Sequence, residues 1–132
     1  MARRPNNRLA LITYLARDYD QAVDWFCRVL GFSLIEDTDQ GGGKRWVRLG
    51  LGDAGGTQLL VAKAVGDQAD FVGKHAGTRV GFFLYTNDFD SQYAKMVAMD
   101  VHFEESPRQE SYGKVAVFQD LYGNRWDLIE RA

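Results

Sequence analysis

The sequence predicts an α+β fold made of two tandem βαβββ modules, and three observations predict it. Two helices of like design open on aspartates, Asp18 and Asp88. Each follows one strand-like run and precedes three shorter ones. The landmarks recur in the same order in both halves, as an internal repeat requires. At 132 residues the chain has the length of one ordinary domain, and an apolar share of 45% is enough for a real core. The expected organisation is a single domain over 1–132, with a first module at 8–63, a connector at 64–78 and a second module at 79–131.

The first module starts with Leu9–Ala16, a strand rich in apolar and β-branched residues. Asp18 is placed to cap the helix that follows, with Gln21 at the capping-box position three residues on. Tyr19, Ala22, Val23, Phe26, Val29 and Leu30 recur at helical spacing and form one apolar face. Gly31 ends the helix where a left-handed residue is needed. Three β-type segments follow, Phe32–Asp37, Lys44–Leu51 and Thr57–Lys63. Ala64–Gly77 reads as a connector with one helical turn.

The second module repeats the plan. Arg79–Thr86 is its first strand, and Asp88 opens a helix whose apolar face is Phe89, Tyr93, Met96 and Val97. Val101–Glu105, Tyr112–Gln119 and Arg125–Arg131 are its remaining strands. Asp18-Tyr19-Asp20 matches Asp88-Phe89-Asp90, and Asp53-Ala54-Gly55-Gly56 matches Asp120-Leu121-Tyr122-Gly123. The polar, proline-bearing run 103–111 is expected to be a loop, a candidate lid.

Composition narrows the function classes. A net charge of −2 gives no electrostatic reason to bind nucleic acid or an anionic membrane. The basic cluster Ala2-Arg3-Arg4 with Arg8 reads as a solvated tail. No apolar run approaches the ~20 residues that span a bilayer, and the first residues lack signal-peptide character. One cysteine, Cys27, permits no internal disulfide and is expected to be a buried, inert thiol. The expected location is cytoplasmic. Two glycine patterns fail as nucleotide sites. Gly50-Leu51-Gly52-Asp53-Ala54-Gly55 runs into a strand instead of a helix, and Gly43-Lys44 is followed by Arg45 where a P-loop needs Ser or Thr.

Taken together, Asp18-Tyr19-Asp20, Trp25-Phe26, Val29-Leu30-Gly31-Phe32, Asp88-Phe89-Asp90, Tyr112-Gly113 and Asp120-Leu121-Tyr122-Gly123-Asn124 resemble the vicinal oxygen chelate superfamily. That superfamily includes glyoxalase I, bleomycin resistance proteins and extradiol dioxygenases. The resemblance covers about Arg8 to Glu130. It implies that each module is a half-barrel of curved mixed sheet, helix on the convex side, around a ligand cup, and that the chain is a homodimer. Strand alternation then turns Leu11, Thr13 and Leu15, with Gly81, Phe83 and Tyr85, toward the cup. Ile12, Tyr14, Phe82 and Leu84 turn toward the helices.

The resemblance also locates the metal ligands of the metal-dependent members. The four matching positions here are Leu11, Leu60, Gly81 and Asp127, of which only Asp127 offers a donor. His75 falls in the connector, and His102 is expected in a strand, on the face opposite Val101 and Phe103; neither replaces the missing ligands. One carboxylate cannot hold a zinc or a hard cation. The expectation is therefore a metal-independent protein binding a small planar or aromatic organic ligand. Thr13, Trp46, Phe83 and Tyr85 are its candidate contacts, and Arg45, Arg48 and Arg108 the candidate partners for an acidic group. The alternative is a lyase, isomerase or dioxygenase of the same superfamily using Asp127 and Tyr112 as catalytic groups, or a metal held in another way. A further alternative for Asp127 is a structural ion pair with Arg125 or another arginine.

Overall fold

The helix faces decide how the two modules meet. The computed structural model describes residues 3–52 and 56–132. The first module runs β1 (Leu11–Ala16), α1 (Tyr19–Leu30), β2 (Ser33–Asp39), β3 (Arg45–Gly50) and β4 (Gln58–Lys63). The second runs β5 (Val80–Tyr85), α2 (Phe89–Ala98), β6 (Arg108–Glu110), β7 (Gly113–Gln119) and β8 (Arg125–Arg131). The strands form two four-stranded mixed sheets, ordered β1-β4-β3-β2 and β5-β8-β7-β6. In each, the first strand pairs parallel with the last, and the other pairs are antiparallel. Neither sheet closes into a barrel, and the connector holds one 3-10 turn, Gly66–Phe71.

Both helices start as their sequences require. Asp18 accepts from the Gln21 amide at 2.8 Å and Asp88 from the Ser91 amide at 3.1 Å. Gly31, at φ 76°, ends α1 with its amide bonded to the Phe26 carbonyl. Ala22, Phe26, Val29 and Leu30 are buried, and each large side chain removed from water stabilises by roughly 1.5–3 kcal/mol. The Gln21 side chain does not complete a capping box. Its Oε1 accepts from the Tyr122 hydroxyl at 2.7 Å, a contact with the other module.

The modules share one core, built from the helix-side faces. Phe26 of α1 packs on Trp126 of β8, Tyr14 of β1 packs on Phe82 of β5, and Phe82 stacks on Trp126 at 4.6 Å. At the centre is a buried carboxylate, Asp120. Its Oδ2 accepts from the Tyr14 hydroxyl (2.7 Å), the Trp126 indole (3.0 Å) and the Asn124 side-chain amide (3.0 Å). Its Oδ1 accepts from the Tyr122 and Asn124 backbone amides, each at 3.0 Å. Burial beside this carboxylate pushes the Tyr14 phenol far up. The turn Asp120-Leu121-Tyr122-Gly123 thus ties the second module to the first strand. Of its counterpart Asp53-Ala54-Gly55-Gly56, the first three residues lie outside the described residues.

Several sequence expectations are corrected. Val101–Glu105 is not a strand; Phe103 makes a single bridge to Phe118, and the strand lies later, at Arg108–Glu110. Both stretches run against β7, and Pro107, which has no amide hydrogen, interrupts them. The segment expected as a lid is therefore the edge of the second sheet, and His102 lies outside any strand. Val97 is 48% exposed, because α2 turns only Phe89 and Met96 fully inward. Ile12 is also partly exposed, on an edge strand, and Cys27 is only partly buried.

Removing the central carboxylate strands at least three donors inside the core. We expect Asp120→Ala to cost about 3 kcal/mol or more in urea denaturation. Tyr14→Phe, which removes one donor of five, is expected to cost about 1 kcal/mol.

Candidate functional site

With the helix-side faces consumed by the core, the opposite faces of the two sheets are left open. On the first sheet the register sets Thr13 beside Leu60 and Leu60 beside Arg48, with Trp46 two residues along on the same face. Two recesses flank Trp46. One, about 360 Å³, is lined by Arg8, Leu11, Ile35, Arg48 and Gln58 as well. The other, about 440 Å³, adds Tyr19, Leu60, Ala62, Lys63 and Val65 and reaches the glycine turn at Gly42-Gly43. Trp46 is thus a flat wall common to both.

On the second sheet the register sets Phe83 beside Asp127 and Asp127 beside Val117, with Tyr85 next to Ile129 and Ile129 next to Val115. Phe83 and Tyr85 are 60% and 61% exposed, large aromatic surfaces, with the Arg131 guanidinium over the Tyr85 ring at 5.7 Å. Tyr112 sits in the turn between β6 and β7, 52% exposed, and its hydroxyl accepts from Arg108 at 3.3 Å.

The arginines are already engaged. Arg48 donates to Glu36 at 3.0 Å and to buried Gln58 at 2.5 Å. Arg108 donates to Glu105 at 3.1 Å and Glu110 at 2.8 Å. Arg45 pairs with Asp37 and reaches Asp20 at the start of α1, its guanidinium over the Tyr19 ring. Each cation therefore carries its own counter-charge, and a ligand acid would have to compete for it.

Asp127 differs from all of these. Arg125, the partner weighed for it, binds Glu104 at 2.8 Å and the Thr78 carbonyl at 2.7 Å instead. The Oδ1 atom of Asp127 is buried with no hydrogen-bond partner, alone in that among the side chains of the described residues. Burial raises its pKa above the ordinary 3.8, Glu105 adds to the rise, and Arg108 and Arg125 oppose it. A buried polar atom without a partner is costly to the fold.

The superfamily's metal does not fit this donor set. Leu11, Leu60 and Gly81 bring no ligand atom to three of the four matched positions. Among the described residues, no group of three or more His, Cys, Asp or Glu side chains gathers to hold an ion. His75, left without a role by sequence reasoning, serves the module junction. Its Nε2 accepts from the Leu15 amide at 3.0 Å, its ring stacks on Tyr14, and its own amide donates to Asn124. Burial lowers its pKa, which keeps the accepting, neutral form. The signal that could have found it is weak: a lone histidine in a connector. Glu105, on the segment expected as a loop, was also missed; it accepts from the Val117 amide at 2.9 Å and holds Arg108 in place.

These observations define a two-module βαβββ protein with open, aromatic-bearing sheet faces. The chain belongs to the Glyoxalase/Bleomycin resistance protein/Dioxygenase superfamily, whose profile matches residues 8–128. It is 45% identical over 121 residues to an uncharacterised protein of Shewanella frigidimarina, covering 90% of each. Among solved structures it is similar to UcmS2 (TM-score 0.79, 25% identity, 95% and 98% of the two chains). It is similar too to TnmS3, an antibiotic binding protein from Streptomyces sp. CB03234 (TM-score 0.77, 24% identity, 98% and 100%).

The orphaned carboxylate has a measurable cost. A carboxyl whose pKa is raised on folding favours the fold while protonated and opposes it once ionised. At about one pH unit or more below the ordinary 3.8 the folded and unfolded states are both protonated and the effect vanishes; it grows as pH rises through 3.8 and above. We expect Asp127→Asn to be more stable than the natural protein by about 1 kcal/mol at pH 7, with the difference shrinking steadily toward zero as pH falls below about 3, read by urea denaturation across that range.

Proposed function

We propose that the chain is a metal-independent small-molecule-binding protein of this superfamily that holds a planar or aromatic ligand in a cup. The observation that carries the reading is the pair of open sheet faces, with Trp46 on one and Phe83 and Tyr85 on the other. Aromatic walls with few polar groups are what concave ligand sites use. The donor-poor set Leu11, Leu60, Gly81 and Asp127 supports binding without a metal. That TnmS3, a fold-mate, is an antibiotic binding protein agrees with the reading without carrying any residue across.

The same reading makes the protein a homodimer. The contacts between modules run through the helix sides, so one chain leaves both cup faces outward. A second copy would close them, one module of each chain facing the other across the ligand, with Thr13, Arg48 and Arg108 at the rim. The location that suits the reading is the cytoplasm. No helix among the described residues is long and apolar enough to cross a membrane, and the lone Cys27 needs no oxidising compartment. The raised pKa of Asp127 favours one second reading, an enzyme with Asp127 as general acid or base and Tyr112 beside Arg108 as its companion.

Thermal denaturation against a library of planar aromatic compounds, with sedimentation and elemental analysis of the same sample, tests the proposal. We expect a dimer, less than about 0.1 metal ion per chain, and stabilisation that grows as RT ln(1 + [L]/Kd) without conversion of the ligand. Stoichiometric manganese, iron, nickel or zinc would overturn the metal-independent reading. A ligand consumed by the natural protein and untouched by Asp127→Asn would move the enzyme to first place.

A further inference from the structure

The buried, unpartnered Oδ1 of Asp127 lies in the middle of the second cup face, between Phe83 and Val117. Every cation near it is spoken for. Arg108 is held by Glu105, Glu110 and the Tyr112 hydroxyl, and Arg125 by Glu104 and the Thr78 carbonyl. Around the one guanidinium of Arg108 stand three carboxylates, Glu105, Glu110 and Asp127. This end of the cup is therefore rich in acceptors, and its arginines are already paired with carboxylates of the chain.

From that arrangement we infer that the second cup face selects aromatic ligands carrying an O–H or N–H donor on the ring edge, and that Asp127 is the residue that reads it. The inference rests on the proposed aromatic-binding function and specifies its ligand. The ring lies against Phe83, and the donor meets the Asp127 carboxylate. A ligand without the donor would bury the same apolar surface and leave the carboxylate oxygen unmet, which is the situation in which hydrogen-bonding sites discriminate most strongly. A ligand bearing only a carboxylate meets repulsion here, since its acceptors would face Asp127 and Glu105.

Three probes of one shape test the inference: 7-hydroxycoumarin, 7-methoxycoumarin and unsubstituted coumarin, at slightly acidic pH where the hydroxyl keeps its proton. Each is titrated into the full chain and followed by amide NMR, with Phe83 and Val117 reporting on the site. We expect 7-hydroxycoumarin to bind at least about tenfold more tightly than either analogue. The advantage should vanish in Asp127→Leu and survive in part in Asp127→Asn, whose amide oxygen still accepts. Equal affinity of all three probes for the natural protein would overturn the inference and leave the aromatic cup standing. An unchanged preference in Asp127→Leu would overturn it as well. Binding of none of the three would count against the aromatic cup itself and take the inference with it. The comparison of probes on the natural protein decides the matter even if a variant fails to fold.

Discussion

The buried carboxylate of Asp120 is the constraint on which the rest depends. It sits where the last turn of the second module meets the first strand of the first, and five donors converge on it. A buried charge is tolerated only when its lone pairs are met, so its partners have little freedom of position. Tyr14 must present its hydroxyl inward and Trp126 its indole, and this orients β1 and β8 with their helix sides together. Asn124 passes the constraint on to His75, and His75 to the Leu15 amide. One carboxylate thereby sets the angle between two modules whose sheets share no ladder.

The strand period then does the remainder. Once Tyr14, Phe82, Leu84, Trp126 and Leu128 face the shared core, their neighbours at odd spacing must face the other way. Thr13, Phe83, Tyr85 and Asp127 are on the open faces for that reason, whatever they do there. Stability and function are in this sense separated by face. The core side carries a satisfied polar network; the open side carries paired arginines, exposed rings and one unmet carboxylate. That contrast is what makes Asp127 informative, because the same chain shows what a satisfied buried aspartate looks like.

Much of this was legible in the sequence because it is local. The caps at Asp18 and Asp88, the stop at Gly31 and the last strand, Arg125–Arg131, follow from propensity, period and turn chemistry within a few residues. The alternation that set Phe83 and Tyr85 on one face needed only parity, whereas Asp127 was placed there by the family resemblance. What escaped depends on partners distant in the chain. Gln21 was read as a local cap and instead meets Tyr122; His75 was read as bystander and instead holds β1. The edge strand β6 was hidden by its polarity and by Pro107, since an edge strand next to solvent has no apolar pattern to show. Whether Asp127 would pair with Arg125 was also beyond sequence, because it turned on Glu104, from a segment whose path β7 sets.

The unmet oxygen also bears on what kind of recognition this cup can perform. A metal-bearing cup draws its ligand by charge and needs several donors aimed at one point. With Leu11, Leu60 and Gly81 at three of those points, that means of attraction is not built from these residues. On the proposed binding role, what replaces it comes from apolar area and from single, well-placed polar groups, and apolar area alone discriminates poorly among flat molecules of equal size. Selectivity in such a cup falls to the few polar atoms not already satisfied by the protein. Arg48, Arg108 and Arg45 are each paired with a carboxylate of the chain. The buried oxygen of Asp127 has no hydrogen-bond partner. Under the proposed recognition, a stability cost that a matching donor removes makes the difference between right and wrong ligands larger than the hydrogen bond alone would.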